Sequence, residues 1–410
     1  MKPAGPIPPH FNTVIGDLII AQQPVAYWIE QARDTPLFVY DFNVIAARVA
    51  RLRAALPGGI DVHYAIKANP FAPLVAAMSK LVDGLDVASA GELAVALESK
   101  PGAAISFAGP GKRDDELSAA ITAKATINLE SDGEATRSLL IGQRLGIAPR
   151  LAVRVNPDFE LRGSGMKMGG RASPFGVEVD RAAALVRRVA AEGADWRGFH
   201  IFAGSQALDS DAIIETQAAT LALAERLSDE AGLAPPLVNL GGGLGIPYFA
   251  GDRPVDVERI GAALGDALAS TTLPGARFAI ELGRWLVGEA GVYLTRIVDR
   301  KESRGETFLV VDGGLHHQLA ASGNFGTVVK RNYPIAVAHR MGAEPEETVS
   351  VVGALCTPLD RLADRVALPR ADVGDVMAVF LAGAYGLSAS PSRFLGHPEP
   401  AEILAGASLY

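Results

Sequence analysis

The feature that most constrains the fold is a repeated alternation of short apolar runs and helical stretches between residues of about 36 and 275. Apolar runs followed by Ala- and Leu-rich helical patterns are typical of parallel βα units. Seven or eight repeats over this length favour a closed (β/α)8 barrel over an open sheet. The strands predicted within the repeats are Val62–Ile66, Leu85–Ala88, Ile105–Ala108, Ala125–Leu129, Arg150–Val155, Gly198–Phe202 and Leu237–Leu240.

The pattern changes after about residue 275, where strand-like runs dominate and helical periodicity is weak. The first of these runs is Arg277–Glu281. We therefore predict a mainly β domain over residues 276–410 and a barrel over residues 41–275. Another strand signal, Pro36–Tyr40, comes before the barrel pattern. We expect residues 1–40 to contribute this strand to the β domain.

Composition excludes several classes of function. The 410 residues are 49% apolar and carry a net charge of -8, which disfavours nucleic acid or an anionic membrane as the main partner. The single cysteine, Cys356, cannot form an intrachain disulfide, and the proline-rich N-terminus lacks the apolar core of a signal peptide. These features predict a cytoplasmic protein, and we expect neither a metal site nor a membrane partner.

The segment His63–Phe71 contains a lysine in a chemically informative position. Lys67 follows an apolar, β-prone run and is followed closely by Asn69-Pro70, a turn signal. This places its amine at the C-terminal end of a barrel strand, where barrel enzymes hold their catalytic residues. Burial there would disfavour the charged form and make the amine available as a nucleophile. The alternative is a strand-end lysine whose amine reaches solvent.

Other polar residues and a glycine run follow the predicted strands at the same edge. They include Asp86, Arg154, the segment His200–Gln206 and the run Gly241–Gly243. Consecutive glycines after a strand let backbone N–H groups approach an anion, so the run is a candidate phosphate site. A flexible turn is the alternative interpretation of the same glycines.

Four further residues are informative only in combination. Glu281, at a strand end, can pair with a protonated ring nitrogen, and Arg284 can bind a phosphate, although an ion pair at a domain boundary has the same pattern. Cys356 and Tyr385 stand in glycine-containing segments of the β domain. A lone cysteine is commonly an inert buried residue, and such a tyrosine is commonly a packed loop aromatic.

Together, and in this chain order, the motifs resemble the fold-type III pyridoxal-phosphate (PLP) decarboxylases, the family of diaminopimelate, ornithine and arginine decarboxylases. The resemblance runs from about Pro36 to Ile403. It implies an alanine racemase-like PLP-binding barrel, a second β domain and a homodimer with shared active sites. It also implies α-decarboxylation of an amino acid. A racemase and a non-catalytic regulatory homologue are the alternatives. Glu281 and Cys356 argue against a racemase, and the presence of Lys67 argues against a non-catalytic homologue.

The resemblance also implies a role for each motif residue. Lys67, Cys356 and His200 correspond to catalytic positions: Lys67 is similar to the lysine that binds PLP covalently, and Cys356 to the cysteine that protonates the product across the dimer. Thr357 and Asp360 correspond to substrate-binding positions. The implied cofactor ligands, besides Lys67, are Asp86, Arg154, Phe202, Ser205, Gly241, Gly242, Gly243, Glu281, Arg284 and Tyr385.

The chain departs from the family pattern at three places. Phe202 stands where a histidine stacks on the cofactor ring. Thr357 stands where an acid binds the distal ammonium group of diaminopimelate or ornithine. The segment after Asp312-Gly313-Gly314 lacks the arginine that binds a substrate carboxylate, and Arg331 and Arg340 are the candidate replacements.

These departures resemble a branch of decarboxylases associated with exosortase A systems. The segments His200–Gln206 and Gly313–His317 carry this resemblance. It implies an acylated or carrier-tethered amino acid as substrate, because the distal end would then be uncharged. A conventional diaminopimelate decarboxylase of lysine biosynthesis is the alternative.

Overall fold

The computed structural model describes residues 1–273, 275–323 and 331–406, apart from the side chain of Lys167. The chain divides into two compact units. The barrel unit consists of Arg48–Gly245 and Pro254–Gly283, and the β unit consists of Met1–Ala47, Ile246–Arg253 and Arg284–Tyr410. The domain limits 1–40, 41–275 and 276–410 stay a prediction.

The barrel unit is built on a closed ring of strands that all run in the same direction. Among the described residues, eight parallel strands pair in a cycle, in which the last strand in the sequence pairs with the first. The predicted (β/α)8 barrel is therefore confirmed. Its strands are β5 (Ile60–Ala65), β6 (Gly84–Val87), β7 (Ile105–Phe107), β8 (Thr126–Leu129), β9 (Arg150–Asn156), β12 (Asp195–Ile201), β14 (Leu237–Asn239) and β15 (Arg277–Leu282).

The strand Arg277–Leu282 requires a correction. Sequence analysis placed residues 277–281 among the strands that follow the barrel. In the structure Phe278 is opposite Ile60 and Leu282 is opposite Tyr64, so this strand closes the barrel against β5. A chain-local pattern does not reveal this pairing, because the two partners lie at opposite ends of the barrel sequence.

Helices follow the barrel strands, and several begin with a side-chain cap. Ser89 accepts a hydrogen bond from the N–H of Glu92, and Ser131 accepts one from the N–H of Glu134. Such caps satisfy N–H groups that lack a partner inside the helix. These helices are α3 (Ala72–Met78), α4 (Ala90–Leu97), α5 (Asp114–Thr122), α6 (Asp132–Leu145), α7 (Val179–Ala191), α8 (Ser210–Ala231) and α9 (Val257–Ala269), and α2 (Phe42–Ala55) precedes the first barrel strand.

Short strands accompany the barrel near the site. Strand β11 (Val177–Glu178) pairs with β9, and β10 (Met166–Lys167) pairs with β13 (Gly204–Ser205). The alternation along β5 shows how the barrel sorts its side chains. Val62 and Tyr64 are fully buried, whereas Asp61 and His63 line a cavity inside the barrel.

The β unit contains a branched sheet. Its main path is β18 (Ile335–Val337), β21 (Val376–Phe380), β16 (Gly291–Ser303), β17 (Glu306–Val311), β19 (Glu347–Val352) and β20 (Arg361–Leu368). Strand β4 (Leu37–Asp41) pairs with β16 and with β22 (Ala401–Ala405). The predicted N-terminal contribution to a mainly β unit is thus present. The remaining elements are β1 (Asn12–Val14), β2 (Asp17–Ile20), β3 (Gln23–Pro24), α1 (Val25–Ala32) and α10 (Arg284–Val287).

Within the described ranges, none of the helices combines the length and the apolar character needed to cross a bilayer.

Candidate active site

A small cavity of about 20 Å³ lies at the C-terminal ends of the barrel strands. Its walls include side chains from six strand ends that are far apart in the sequence. The parallel barrel brings these ends to one edge, as expected for an enzyme site. The polar residues lining this cavity are Lys67, Asp86, Arg154, His200 and Glu281, all of them predicted site residues.

Lys67 lies just beyond its strand, in a 3-10 turn over Ile66–Ala68. Its side chain is exposed. The burial that would make the lysine amine nucleophilic is therefore absent among the described residues. The strand ends at Ala65, and the turn carries the lysine out of the apolar run. Its Nζ lies 5.7 Å from the ring centroid of Phe202, so the predicted cofactor lysine and the predicted stacking aromatic are neighbours.

Glu281 is buried at the end of β15 and is surrounded by groups that keep it ionised. Its Oε2 lies 3.1 Å from Nε2 of His200 and accepts a hydrogen bond of 3.1 Å from the amide of Asn239. Burial raises the pKa of Glu281, but His200, Lys67 and Arg154 lower it by more, so this pKa is well below its usual value. A carboxylate held in this state can stabilise a protonated ring nitrogen.

Arg154 is fixed by a buried network of charges. Its Nη1 donates to Oε1 of Glu130 at 2.8 Å, and Glu130 also accepts backbone hydrogen bonds. Burial raises the pKa of Glu130, whereas Arg154 and Lys112 lower it by more, so it lies below its usual value. Lys112 in turn donates to Glu134 at 2.5 Å. Arg154 therefore has little freedom to leave the cavity wall.

The glycine run after β14 is a tightly packed loop rather than a flexible turn. A Cβ on Gly242 would lie 1.8 Å from the carbonyl oxygen of Glu281, so no side chain fits there. Gly241 and Gly243 have φ of 70° and 93°, which L side chains rarely adopt. The N–H of Gly241 donates to Asn239 Oδ1 at 2.9 Å, so a phosphate contact would fall to Gly242 and Gly243.

Asp86 and Ser205 complete the predicted site residues of the barrel unit. Asp86 is buried, and its Oδ2 has no hydrogen-bond partner among the described residues. Such an atom in a cavity wall is suited to a ligand, because an unpaired buried oxygen is costly. Ser205 lies in β13, opposite Met166, and is partly exposed.

In the β unit, Arg284 and Tyr385 lie together. The guanidinium carbon of Arg284 is 4.6 Å from the ring centroid of Tyr385, and Nη1 donates to the hydroxyl of Tyr248 at 3.0 Å. Burial lowers the pKa of Arg284, but Tyr248 and Tyr385 raise it by more. The Nε of Arg284 is buried and has no partner within the described part of the chain, so it remains able to donate to an anion.

The segment around Cys356 separates residues that the sequence grouped together. Cys356 is an exposed free thiol, and Thr357 is partly exposed. Asp360 is buried, and its two oxygens accept hydrogen bonds from the N–H groups of Leu315 and Leu355, at 2.7 and 2.9 Å. Its carboxylate thus joins two loops of the β unit, and the substrate contact predicted for Asp360 stays a prediction.

Arg331 and Arg340, the two candidate replacements for the carboxylate-binding arginine, both contact other groups. The guanidinium of Arg331 stacks on Phe249 at 3.8 Å and is 4.0 Å from Asp252. Arg340 donates to the backbone carbonyl of Arg370. Both side chains are thus engaged inside the β unit.

Sequence reasoning missed the residues that hold the site residues in place. Asn239 joins the glycine loop to Glu281, Glu130 holds Arg154, and Tyr248 holds Arg284. A signal existed for the first two, because a polar side chain at the end of an apolar strand usually has a buried partner. No pattern in the sequence marks Tyr248.

Comparison with known proteins identifies the family. A family model described as "Pyridoxal-dependent decarboxylase, pyridoxal binding domain" matches residues 42–288. The L-glutamyl-[BtrI acyl-carrier protein] decarboxylase of Niallia circulans is 37% identical over 90% of this chain and 89% of its own length. This chain belongs to the pyridoxal-dependent decarboxylases. It is therefore a PLP-dependent amino-acid decarboxylase.

Two further relatives agree with this assignment. The diaminopimelate decarboxylase of Methanothermobacter thermautotrophicus is 34% identical over 90% of this chain and 86% of its own length. This chain is similar to the crystal structure of the diaminopimelate decarboxylase of M. jannaschii in co-complex with L-lysine. The match covers 96% of this chain and 92% of that chain, with a TM-score of 0.85 and 26% sequence identity. The predicted fold and the predicted cofactor are both confirmed.

The residues of the barrel unit suit PLP. An exposed primary amine, an ionised buried carboxylate and a glycine loop with no room for side chains are what the aldehyde, ring nitrogen and phosphate of this cofactor require. The unpaired Oδ2 of Asp86 and the unpaired Nδ1 of His200 add polar atoms that lack a partner among the described residues.

Proposed function

We propose that this decarboxylase acts on an acylated or carrier-tethered amino acid, whose distal end carries no charge. The observation that carries the proposal is the β-unit segment Cys356–Asp360. Thr357 has no charge, and both oxygens of Asp360 accept backbone hydrogen bonds. Asp360 is also buried, so this segment presents no exposed carboxylate to a distal ammonium group, and a charged partner is worth more than a neutral one.

Two observations support the same substrate class. Arg331 and Arg340 are engaged by other groups of the β unit, which disfavours a distal carboxylate as well. The relative that is 37% identical is named for a glutamyl group attached to an acyl-carrier protein. The segments His200–Gln206 and Gly313–His317 further support membership of the exosortase A-associated branch.

The site residues then have the following proposed roles. Bound PLP supplies the electron sink that accepts the electron pair left by the departing carboxylate. Glu281 holds a proton on the ring nitrogen, and His200 keeps Glu281 ionised and oriented. Lys67 provides the amine that binds the cofactor, and Cys356, exposed on its loop, delivers a proton to the α-carbon.

The remaining predicted ligands divide between anchoring and orientation. Phe202, beside Lys67, packs on the cofactor ring, and Asp86 and Arg154 line the cavity around it. In the barrel unit, we assign the phosphate contact to Ser205 and to the N–H groups of Gly242 and Gly243. In the β unit, Arg284 and Tyr385 keep the anion-binding role that the resemblance implies, and the buried Nε of Arg284 has no partner among the described residues.

We also propose a homodimer in which each chain contributes Cys356 to the other's site, and a cytoplasmic location. The net charge of -8 and the single cysteine support a protein without nucleic-acid partners in a reducing compartment.

A carbon-dioxide release screen tests the substrate class. The substrates are free lysine, ornithine, arginine, diaminopimelate, and the glutamyl and aminoacyl thioesters of a carrier protein. We expect turnover of the acylated substrates and little turnover of the free diamines. Lys67→Ala is the control, because it removes the amine and with it both the activity and the visible absorbance of lysine-bound PLP.

Thr357→Glu provides a sharper test in the same screen. A carboxylate at this position restores a partner for a distal ammonium, so activity on free diaminopimelate or ornithine should rise about tenfold. The matched control is Thr122→Glu, at the C-terminal end of α5 in the barrel unit. Efficient turnover of free diaminopimelate by the unchanged protein contradicts the proposal and favours a conventional diaminopimelate decarboxylase, in line with the 34% identical relative.

A further inference from the structure

His63 occupies a position in the barrel interior that the proposed chemistry does not use. It lies on β5, two residues below Ala65 and four below Lys67. Ala65 and Lys67 line the upper cavity, whereas His63 and Asp61 line a separate cavity of about 150 Å³ inside the barrel. The imidazole therefore stands between the proposed cofactor site and the lower half of the barrel.

The neighbouring strand is shaped to hold this ring. His63 is opposite Gly84 in the register of β5 and β6, and a Cβ on Gly84 would lie only 2.5 Å from Nε2 of His63. The glycine thus leaves room for the imidazole to lie against the strand. Gly84 has no positive φ, so the space, and not the backbone conformation, requires a residue without a side chain.

From this position the ring reaches Asp86. Nδ1 of His63 lies 3.4 Å from Oδ1 of Asp86, a distance at the long end of hydrogen bonding that keeps a strong charge interaction. The other oxygen, Oδ2, is buried and unpaired within the described residues, and Asp86 lines the cavity with Lys67. One oxygen of Asp86 thus faces His63, and the other remains available to a ligand.

The charges around His63 favour its protonated form. Burial lowers its pKa, but Asp86, Asp61 and Glu281 raise it by more, so this pKa is above its usual value. Arg277 neutralises Asp61 through contacts of 2.8 and 2.6 Å. The other charged groups lining the lower cavity are Asp83, Arg150 and Arg197. With 13% of its side chain exposed, His63 is able to exchange protons with water in this cavity.

We propose that His63 is a positioning residue that holds the Asp86 carboxylate in place through Oδ1, with Oδ2 available to the cofactor site. This inference rests on the proposed role of Asp86 as a cofactor contact. Its consequence is a pH dependence: His63 is charged below its raised pKa, so its support of Asp86 is present at lower pH and is lost as the pH rises through that value.

The test is the affinity of the full-length apoprotein for PLP, measured by tryptophan fluorescence from about pH 6 to about pH 9, across the usual range of histidine. His63→Gln should weaken PLP binding about tenfold at about pH 6, which is the size of one charge-assisted contact. It should also remove the difference in PLP affinity between about pH 6 and about pH 9. His339→Gln is the matched control, because His339 of the β unit also lies 3.4 Å from an aspartate, Asp375, but is 38% exposed.

Gly84→Ala tests the geometry without changing the histidine. The new Cβ displaces the imidazole, so this variant should weaken binding as His63→Ala does. The double variant should be no weaker than His63→Ala alone, because the displaced ring is already absent. Additive losses in the double variant overturn the inference.

Asp86→Asn separates this inference from the proposed role of Asp86. If Asp86→Asn weakens PLP binding while His63→Gln and Gly84→Ala leave it unchanged, the inference about His63 fails and the role of Asp86 stands. If Asp86→Asn binds PLP normally, the role of Asp86 fails. If His63→Gln lowers the unfolding temperature of the apoprotein without changing PLP affinity, His63 serves packing alone and the inference is overturned.

Discussion

At the scale of single residues, the site depends on keeping one buried carboxylate ionised. Burial raises the pKa of Glu281, yet His200, Lys67 and Arg154 lower it by more and hold it well below the usual value. This explains the placement of His200, whose side chain is buried and 3.1 Å from Glu281.

Glu281→Gln tests this arrangement. The amide keeps the shape but cannot hold a proton on the cofactor ring, so kcat should fall about 100-fold, as for the loss of one preorganised electrostatic contact. PLP should remain bound, as its visible absorbance will show. Glu98→Gln, exposed at the end of α4 in the same unit, is the control. An unchanged kcat in Glu281→Gln contradicts the assigned role.

At the scale of elements, the glycine loop after β14 and the closing strand β15 form one structure. The N–H of Glu281 donates to the carbonyl of Gly241 at 2.9 Å, and Asn239 contacts both. Gly242 packs against the carbonyl of Glu281. A displacement of the loop therefore also displaces the carboxylate, so the proposed phosphate site and ring-nitrogen site are mechanically linked.

Gly242→Ala should expose this link. Its Cβ would lie 1.8 Å from the Glu281 carbonyl, so the loop or the strand must move. We expect PLP affinity to fall at least about tenfold, because a loop of backbone donors binds an anion only in its native geometry. Gly58→Ala is the matched control, since a Cβ at Gly58 meets nothing within 4 Å. Equal PLP affinity in the two variants would contradict the phosphate role.

At the scale of the whole molecule, the proposed proton donor, Cys356, comes from a second chain. Lys67 belongs to the barrel unit and Cys356 to the β unit. Mixing the inactive variants Lys67→Ala and Cys356→Ala tests the shared site. Random reassortment of a two-fold dimer should restore about a quarter of the original activity. Activity that stays at the level of the separate variants excludes the exchange of Cys356 between chains.

Much of this architecture could be predicted because most of the polar site residues lie at the ends of apolar strands in the sequence. A barrel gathers the C-terminal ends of its strands, so Lys67, Asp86, Arg154 and His200 could be assigned to one site before their distances were known. Glu281 was assigned to the same site only by the family resemblance. The closing strand Arg277–Leu282 was misplaced because its partner in the ladder is the first barrel strand. Local patterns carry no information about such distant pairing.

The sequence by itself determined the fold class, through the alternation of strands and helices, and it indicated the cofactor and the reaction, through motifs that resemble a known family. Only the tertiary structure decided which groups act on which. In the structure, Lys67 lies exposed on a 3-10 turn, and both oxygens of Asp360 accept backbone hydrogen bonds. His63 lies against Gly84 and close to Asp86. The reason is physical: burial and hydrogen bonding depend on neighbours in space, and barrel closure makes neighbours of residues that are distant in the chain.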